Sequence, residues 1–190
     1  EVYRLKKKKN LELFKKKFNI SSIQPKSNII LEIGFGMGEN MIRLAKENAN
    51  QNIIGVEPLL NGQCNLADYC LNNSVKNIYI YTHPIQIFLK KYTKLKFNCC
   101  YILFPDPWHK KKHNKRRLIK AEFVNSINRI VCQGGRLHLA TDCRNYAEQM
   151  MDVMSASQNW SNLYGVKTFA NADHGRPQTK FELRGRRLGH

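Results

Sequence analysis

The sequence predicts an α/β fold: a doubly wound, mostly parallel sheet with helices on both faces. Three observations predict it. Short apolar runs alternate with helical segments from Asn28 to Ser155, the pattern of a parallel sheet with crossover helices. A glycine cluster, Gly34-Phe35-Gly36-Met37-Gly38, directly follows the first run. The length of 190 residues suits one sizeable core.

The elements follow in order. Residues 1–27 form a basic N-terminal arm or helix, and 28–190 a single domain. Within Glu1–Ile20, Leu5, Leu11, Leu13, Phe14 and Phe18 are spaced among lysines, which fits either an amphipathic helix or a frayed arm. Strands are expected at Asn28–Ile33, Asn52–Glu57, Asn77–Tyr81, Asn98–Phe104 and Arg136–Ala140. Helices are expected at Glu39–Ala49, Leu59–Leu71, Ile85–Tyr92, Leu118–Val131 and Asp142–Ser155. Gly134 and Gly135 would end the fourth of these, and Asp142 or Thr141 would cap the fifth. Right-handed crossovers make such a sheet doubly wound. Ligands then bind at the carboxyl ends of the strands. There is no internal repeat and no long linker.

Charge narrows the partners. Lys and Arg number 32 against 14 Asp and Glu, a net charge of +18. Such a surplus opposes compaction and draws polyanions. Nucleic acid is the expected reason, since phosphates are met by dispersed Lys and Arg; solvated lysines and an anionic membrane surface are the weaker alternatives. No stretch has the length of a transmembrane helix. The six cysteines, Cys64, Cys70, Cys99, Cys100, Cys132 and Cys143, contain no C-x-x-C pair and suit neither zinc nor a disulfide framework. They read as reduced thiols of an intracellular protein.

At the end of the first strand, Glu32 precedes Gly34, Gly36 and Gly38. Glycines there permit a tight turn and close approach of a ligand. The dinucleotide fingerprint would need glycine where Glu39 stands, and an acid beside a pyrophosphate repels it. A carboxylate at Glu32 instead favours a cation, the ammonium or sulfonium of S-adenosylmethionine. Glu57 ends the second strand nineteen positions after Gly38, near the spacing of about 20 expected for an acid on ribose hydroxyls. Together these point to a Rossmann-like methyltransferase sheet.

The fourth strand leads into Pro105-Asp106-Pro107-Trp108. Two prolines fix φ and stiffen the loop that carries Asp106. Then come His109, Lys110, Lys111, Lys112, His113, Asn114, Lys115, Arg116 and Arg117, a phosphate-binding surface beside a reacting centre. His109 and His113 have helical spacing, but without a third ligand no metal is expected.

On these motifs the chain resembles the bacterial-type tRNA (guanine-N7-)-methyltransferases from about Ile29 to His190. The resemblance rests on Leu31 to Glu39, Phe104 to Lys111, His113 to Arg117, Ala140-Thr141-Asp142, Tyr146-Ala147-Glu148, Arg176-Pro177, Thr179 to Glu182, Arg184-Gly185 and Arg187 to His190. It implies S-adenosylmethionine as cofactor, held at Glu32, Gly34, Gly36, Gly38, Glu57 and Asp106, with Pro84 at the adenine end. It implies Asp106 as the catalytic residue. Lys110, Asp142, Thr179, Lys180, Phe181 and Glu182 would meet the substrate guanosine or its surroundings. Lys111, Lys112, Lys115, Arg116 and Arg117 would hold the tRNA backbone, aided by the basic arm. The partner implied is tRNA, with no membrane, no obligatory protein partner, and a monomer or homodimer. Cytoplasm is the default location, with an organelle allowed if a leader precedes Glu1. Three departures stand out. His83-Pro84 replaces the family's usual His-Asp, Ala170 to Gly175 replaces a Pro-Arg-Pro stretch, and a final strand expected after His190 is missing.

Guanine N7 has an in-plane lone pair and no proton, so it needs alignment rather than a general base. An acid near the purine would stabilise the charge that arrives there. It could also accept from N1–H and the exocyclic amine, selecting guanine. Phe35, Trp108 and Phe181 are candidate stacking groups or core residues. The rival readings are an adenine amino-group methyltransferase, disfavoured by the order Pro-Asp-Pro-Trp, and an RNA-binding protein of the same fold without catalysis. A nicotinamide dehydrogenase is a distant third.

Overall fold

The computed structural model describes residues 2–25, 28–170 and 187. The chain forms two compact units, residues 1–102 with 130–138 and residues 103–129 with 139–190.

The first unit opens with α1 (Val2–Lys17). The segment is thus a helix, because Leu11 and Phe14 lie three apart on one buried face. The Phe14 ring meets Phe18 at 4.7 Å and Phe18 meets Tyr79 edge-on at 6.3 Å. Asn10 Nδ2 donates to Asp68 Oδ1 at 2.7 Å, fixing the helix to α3 (Leu60–Asn72). The lysines of the final turn, Lys15 to Lys17, complement the negative end of the helix dipole.

The strands are β1 (Ile29–Ile33), β2 (Asn52–Val56), β3 (Ile78–Tyr81), β4 (Phe97–Leu103) and β5 (Val131–Ala140). They form one sheet in the order β3-β2-β1-β4-β5. β1 pairs in parallel with β2 and β4, and β2 with β3. Ile33 lies opposite both Val56 and Ile102, which brings the carboxyl ends of β1, β2 and β4 to one edge. Ile30, Ile53, Ile78 and Ile80 share a core with side chains of α1, α2 (Glu39–Glu47) and α3. Their strand neighbours Ile29, Leu31, Ile54 and Val56 are equally buried, so the sheet is covered on both faces at β1 and β2, as central parallel strands require. α4 (Ile85–Lys91) follows β3.

The second unit holds α5 (Ala121–Asn128) and α6 (Arg144–Ser155). Both start later than the sequence predicts. Ile119 N–H is bound by the Tyr146 hydroxyl at 3.1 Å, and Lys120 is extended with φ −141°, so no helix can begin at Leu118. Neither Asp142 nor Thr141 caps α6: Thr141 Oγ1 accepts from Cys143 N–H at 3.2 Å, and Cys143 takes the cap position without a side-chain bond. That local turn competes with helix and delays its start. The fifth strand begins at Val131, ahead of the glycines. The Ile130 carbonyl already accepts from Phe97 N–H at 2.8 Å, and Gly134 is accommodated within the strand at φ +74°.

Candidate functional site

In the first unit the glycine turn follows β1, with Gly34, Gly36 and Gly38 at φ +75°, +54° and +87°, values that L side chains rarely adopt. Glu57 holds the turn. Its Oε2 accepts from Gly36 N–H and its Oε1 from Leu59 N–H, both at 2.9 Å. The carboxylate is buried yet keeps lone pairs for further donors, since each oxygen can accept twice. α3 passes so close that a Cβ on Gly62 would lie 1.9 Å from the Gly36 carbonyl oxygen. Gln63, 3 % exposed, donates to the carbonyls of Glu57 at 2.6 Å and Thr82 at 3.2 Å, tying the ends of β2 and β3 together.

Glu32 is 3 % exposed. Its Oε2 accepts from Asn40 Nδ2 at 2.9 Å. Burial pushes its carboxyl up to about 7, against the opposing pull of the Asn40 hydrogen bond and the Arg43 charge. Asn40 Oδ1 is itself buried without a partner. A cation arriving here would restore the ionised carboxylate. Pro84 is the exposed cap residue of α4, and its carbonyl accepts from Ile87 and Phe88 N–H at 3.0 and 3.3 Å. Its ring offers an apolar face where a carboxylate is expected. Phe35 is 5 % exposed and belongs to the core, not to a stacking surface.

In the second unit the Pro105-Asp106-Pro107 loop is bracketed by two left-handed residues, Phe104 at φ +52° and Trp108 at φ +48°. Bulky residues in that region cost about 1–3 kcal/mol each and persist where surrounding structure imposes them. Phe104 N–H donates to the Ala140 carbonyl at 2.8 Å, so the loops after β4 and β5 leave side by side. Cys143 Sγ lies 3.9 Å from His109 Nδ1. Asp106 and Asp142, both exposed, are carried on these two neighbouring loops.

The basic segment is a 3-10 turn, Lys111–Arg116. Lys110, Lys111, Lys112, Lys115 and Arg116 are exposed, and the Arg116 guanidinium lies 4.8 Å from the centre of the Trp108 ring. Arg117 departs from expectation. It is 3 % exposed, so it does not belong to the backbone-binding set. Its Nε donates to the Pro107 carbonyl at 2.8 Å, and its two terminal nitrogens donate to Gln149 Oε1 at 2.6 Å and Asn145 Oδ1 at 2.9 Å. The guanidinium stacks 4.7 Å over Tyr146. Five donors in a rigid fork suit a staple between loop and helix, which is why this arginine turns inward while its neighbours face water. Thr179, Lys180, Phe181 and Glu182 lie outside the described residues.

Sequence reasoning missed Asn40, Gly62 and Gln63. A signal existed for the two amides: each interrupts the apolar stripe of its helix, beside Met41 and Leu44 in α2 and Leu66 and Ala67 in α3.

A glycine turn organised by an acid at the tip of β2 is the arrangement expected of a nucleoside-cofactor site on a parallel sheet, and solved methyltransferases share the fold. A "putative methyltransferase from Thermoplasma acidophilum" matches with a TM-score of 0.53 at 18 % identity, covering 73 % of this chain and 54 % of that one. A precorrin-6y C5,15-methyltransferase from Geobacter metallireducens matches with a TM-score of 0.52 at 12 % identity, covering 76 % and 66 %. Residues 26–190 match the family described as "Putative methyltransferase". A tRNA (guanine-N(7)-)-methyltransferase of Mannheimia succiniciproducens is 39 % identical over 175 residues, 91 % of this chain and 70 % of that protein. One from Pasteurella multocida is 37 % identical over 175 residues, 91 % and 69 %. The chain belongs to the tRNA (guanine-N7-)-methyltransferase family.

Proposed function

We propose that the chain transfers a methyl group from S-adenosylmethionine to N7 of a guanine in tRNA, with the variable loop as the target region. The observation that carries this reading is the glycine turn held by Glu57 and followed, after β4, by an exposed Asp106 on a loop stiffened by two prolines. The relatives' printed activity supports it.

The residues present fit the cofactor. Glu32 and Asn40 offer a buried, cation-seeking pair; Glu57 keeps acceptor capacity for ribose hydroxyls; Gly62 leaves the Gly36 carbonyl unobstructed. When bound, S-adenosylmethionine supplies an electrophilic methyl group on a sulfonium. Asp106 meets the purine side, where its negative charge stabilises the positive charge gained by the base more than it stabilises the ground state. It also accepts from N1–H and the exocyclic amine, donors that adenine does not present in that pattern. Asp142, on the neighbouring loop, and Lys110 hold the nucleoside. Lys111, Lys112, Lys115 and Arg116 meet phosphates.

The test is transfer of labelled methyl to unmodified tRNA, followed by digestion to nucleosides. Label is expected in 7-methylguanosine; label in an N6-methyladenosine would overturn the reading. Asp106→Asn is expected to lower kcat by about 10² to 10³, while cofactor affinity changes less. An Asp106→Asn enzyme with full rate and intact guanine selectivity would remove Asp106 from this role.

A further inference from the structure

A groove of about 290 Å³ in the first unit has none of the glycine-turn residues in its lining. Among the residues that line it are Lys15, Phe18, Asn19, His83, Lys91 and Tyr92. It runs between the last turn of α1 and the segment from the end of β3 to the end of α4. Neither the cofactor site nor the loop after β4 uses these side chains.

Its chemistry is one-sided. α1 ends in Lys15, Lys16 and Lys17, and α4 in Lys90 and Lys91. Lys94 and Lys96 follow, and no Asp or Glu stands between Asp68 and Asp106. The acid beside the groove, Glu12, is exposed and already meets Lys15 Nζ at 3.2 Å. Such an exposed pair contributes little and yields readily to a phosphate. The aromatic lining is anchored from behind: Tyr92 packs on Phe88 at 5.0 Å and on Tyr81 at 5.7 Å, and Phe18 packs on Phe14. Lys91 Nζ lies 5.4 Å from the Tyr92 ring centre and Lys17 Nζ 5.6 Å from that of Phe18. Asn19 and His83 are exposed and can hydrogen-bond a base edge.

Anchored aromatic rings among lysines, at the smaller end of ligand-pocket sizes (about 300 Å³), match one unpaired nucleotide. A duplex is too wide, and a sequence-tolerant single-strand site needs this combination of ring and lysine. We propose that this groove binds an unpaired nucleotide of the tRNA substrate, distinct from the guanine that is methylated. The base lies against Tyr92 and Phe18, and its flanking phosphates meet Lys15 and Lys91. This rests on the tRNA reading above and adds a second point of attachment to it.

The experiment uses the full chain, unmodified tRNA, and Kd measured over a salt series. Lys15→Glu/Lys91→Glu is compared with wild type, with the milder Lys15→Gln/Lys91→Gln, and with a control pair of exposed lysines, Lys46→Glu/Lys76→Glu. The groove pair is expected to raise Kd at least tenfold at low salt, and to flatten the log–log salt slope by about 1.4, the release from two single-strand phosphates. The glutamine pair should fall between, and the control should stay within about threefold of wild type. Cofactor affinity and the thermal midpoint should not move. Tyr92→Leu should weaken binding of a short single-stranded oligonucleotide and leave a duplex unaffected. Unchanged Kd and slope in the groove pair, or an equal loss in the control pair, would overturn the groove while wild type still forms 7-methylguanosine. A wild type that binds no tRNA would overturn the reading beneath it as well.

Discussion

Replacing Glu32 by glutamine separates the cost of holding a charge inside the protein from the shape of the side chain that holds it. Glu32 is 3 % exposed, and burial raises its carboxyl from 4.5 to about 7. A folded-state value above the unfolded one means that folding favours the protonated form. The associated stability is therefore fully present below about 4.5, and it is lost as pH rises through about 7. The rise corresponds to about 3 kcal/mol, of which about 2 kcal/mol falls between about pH 5.5 and pH 8. Glutamine carries no such charge. Its oxygen can accept from Asn40 Nδ2, and the unpartnered Asn40 Oδ1 offers an acceptor for its amide. Any packing offset from the replacement is independent of pH, so the diagnostic quantity is the change in the difference between variant and wild type. Thermal melts without cofactor should show Glu32→Gln gaining about 4–8 °C on wild type between those two pH values. A gap that stays constant, or one that shrinks as pH rises, would refute the reasoning.

Under the proposed function the same carboxyl should make cofactor binding depend on pH. A cation beside Glu32 requires its ionised form, so Kd for S-adenosylmethionine should rise as pH falls below about 7. Calorimetry in buffers of different ionisation enthalpy should detect proton release near neutrality; Glu32→Gln should abolish that release, and a release that persists would argue against this group. Gly62→Ala sets two effects against each other. Alanine in a helix is worth about 1 kcal/mol over glycine, but its Cβ would stand 1.9 Å from a backbone carbonyl oxygen, and such overpacking typically costs about 1–3 kcal/mol. The clash should win, lowering the urea midpoint and weakening cofactor binding at least tenfold; an unchanged midpoint would contradict the close approach. Arg117→Lys keeps a charge but cannot reach three acceptors in a plane. It should lower stability by about 2–4 kcal/mol with little change in the salt slope of RNA binding, whereas a changed slope with intact stability would return Arg117 to the RNA face.

Much of the architecture was legible because it follows from local periodicity. The run Ile29 to Ile33 is buried throughout and reads as a central parallel strand. Glu57, at the tip of β2, is recognisable from its distance to the glycines. What was not legible depends on partners distant in sequence. Leu118 looks helical by composition, but the Tyr146 hydroxyl, 27 positions beyond Ile119, takes the Ile119 N–H first. Arg117 looks like one more cation in a basic run, and only the arrival of Asn145 and Gln149 turns it inward. Whether residues 2–17 form a helix also lay beyond local pattern, because Phe18 settles against Tyr79 of another element.

The two hydrogen bonds that Glu57 accepts from the Gly36 and Leu59 N–H groups decide when the conformational entropy of the glycine turn is surrendered. Ordering one residue's backbone costs about 1–2 kcal/mol, and glycine loses the most freedom of any residue. Here that cost falls on the folding of the chain, because the turn is tied down by a side chain of the protein itself. A nucleoside meeting this turn then finds it already in shape, and more of its contact energy remains as affinity. In the proposed function the same carboxylate acts twice, once on its own backbone and once on the ribose of the cofactor.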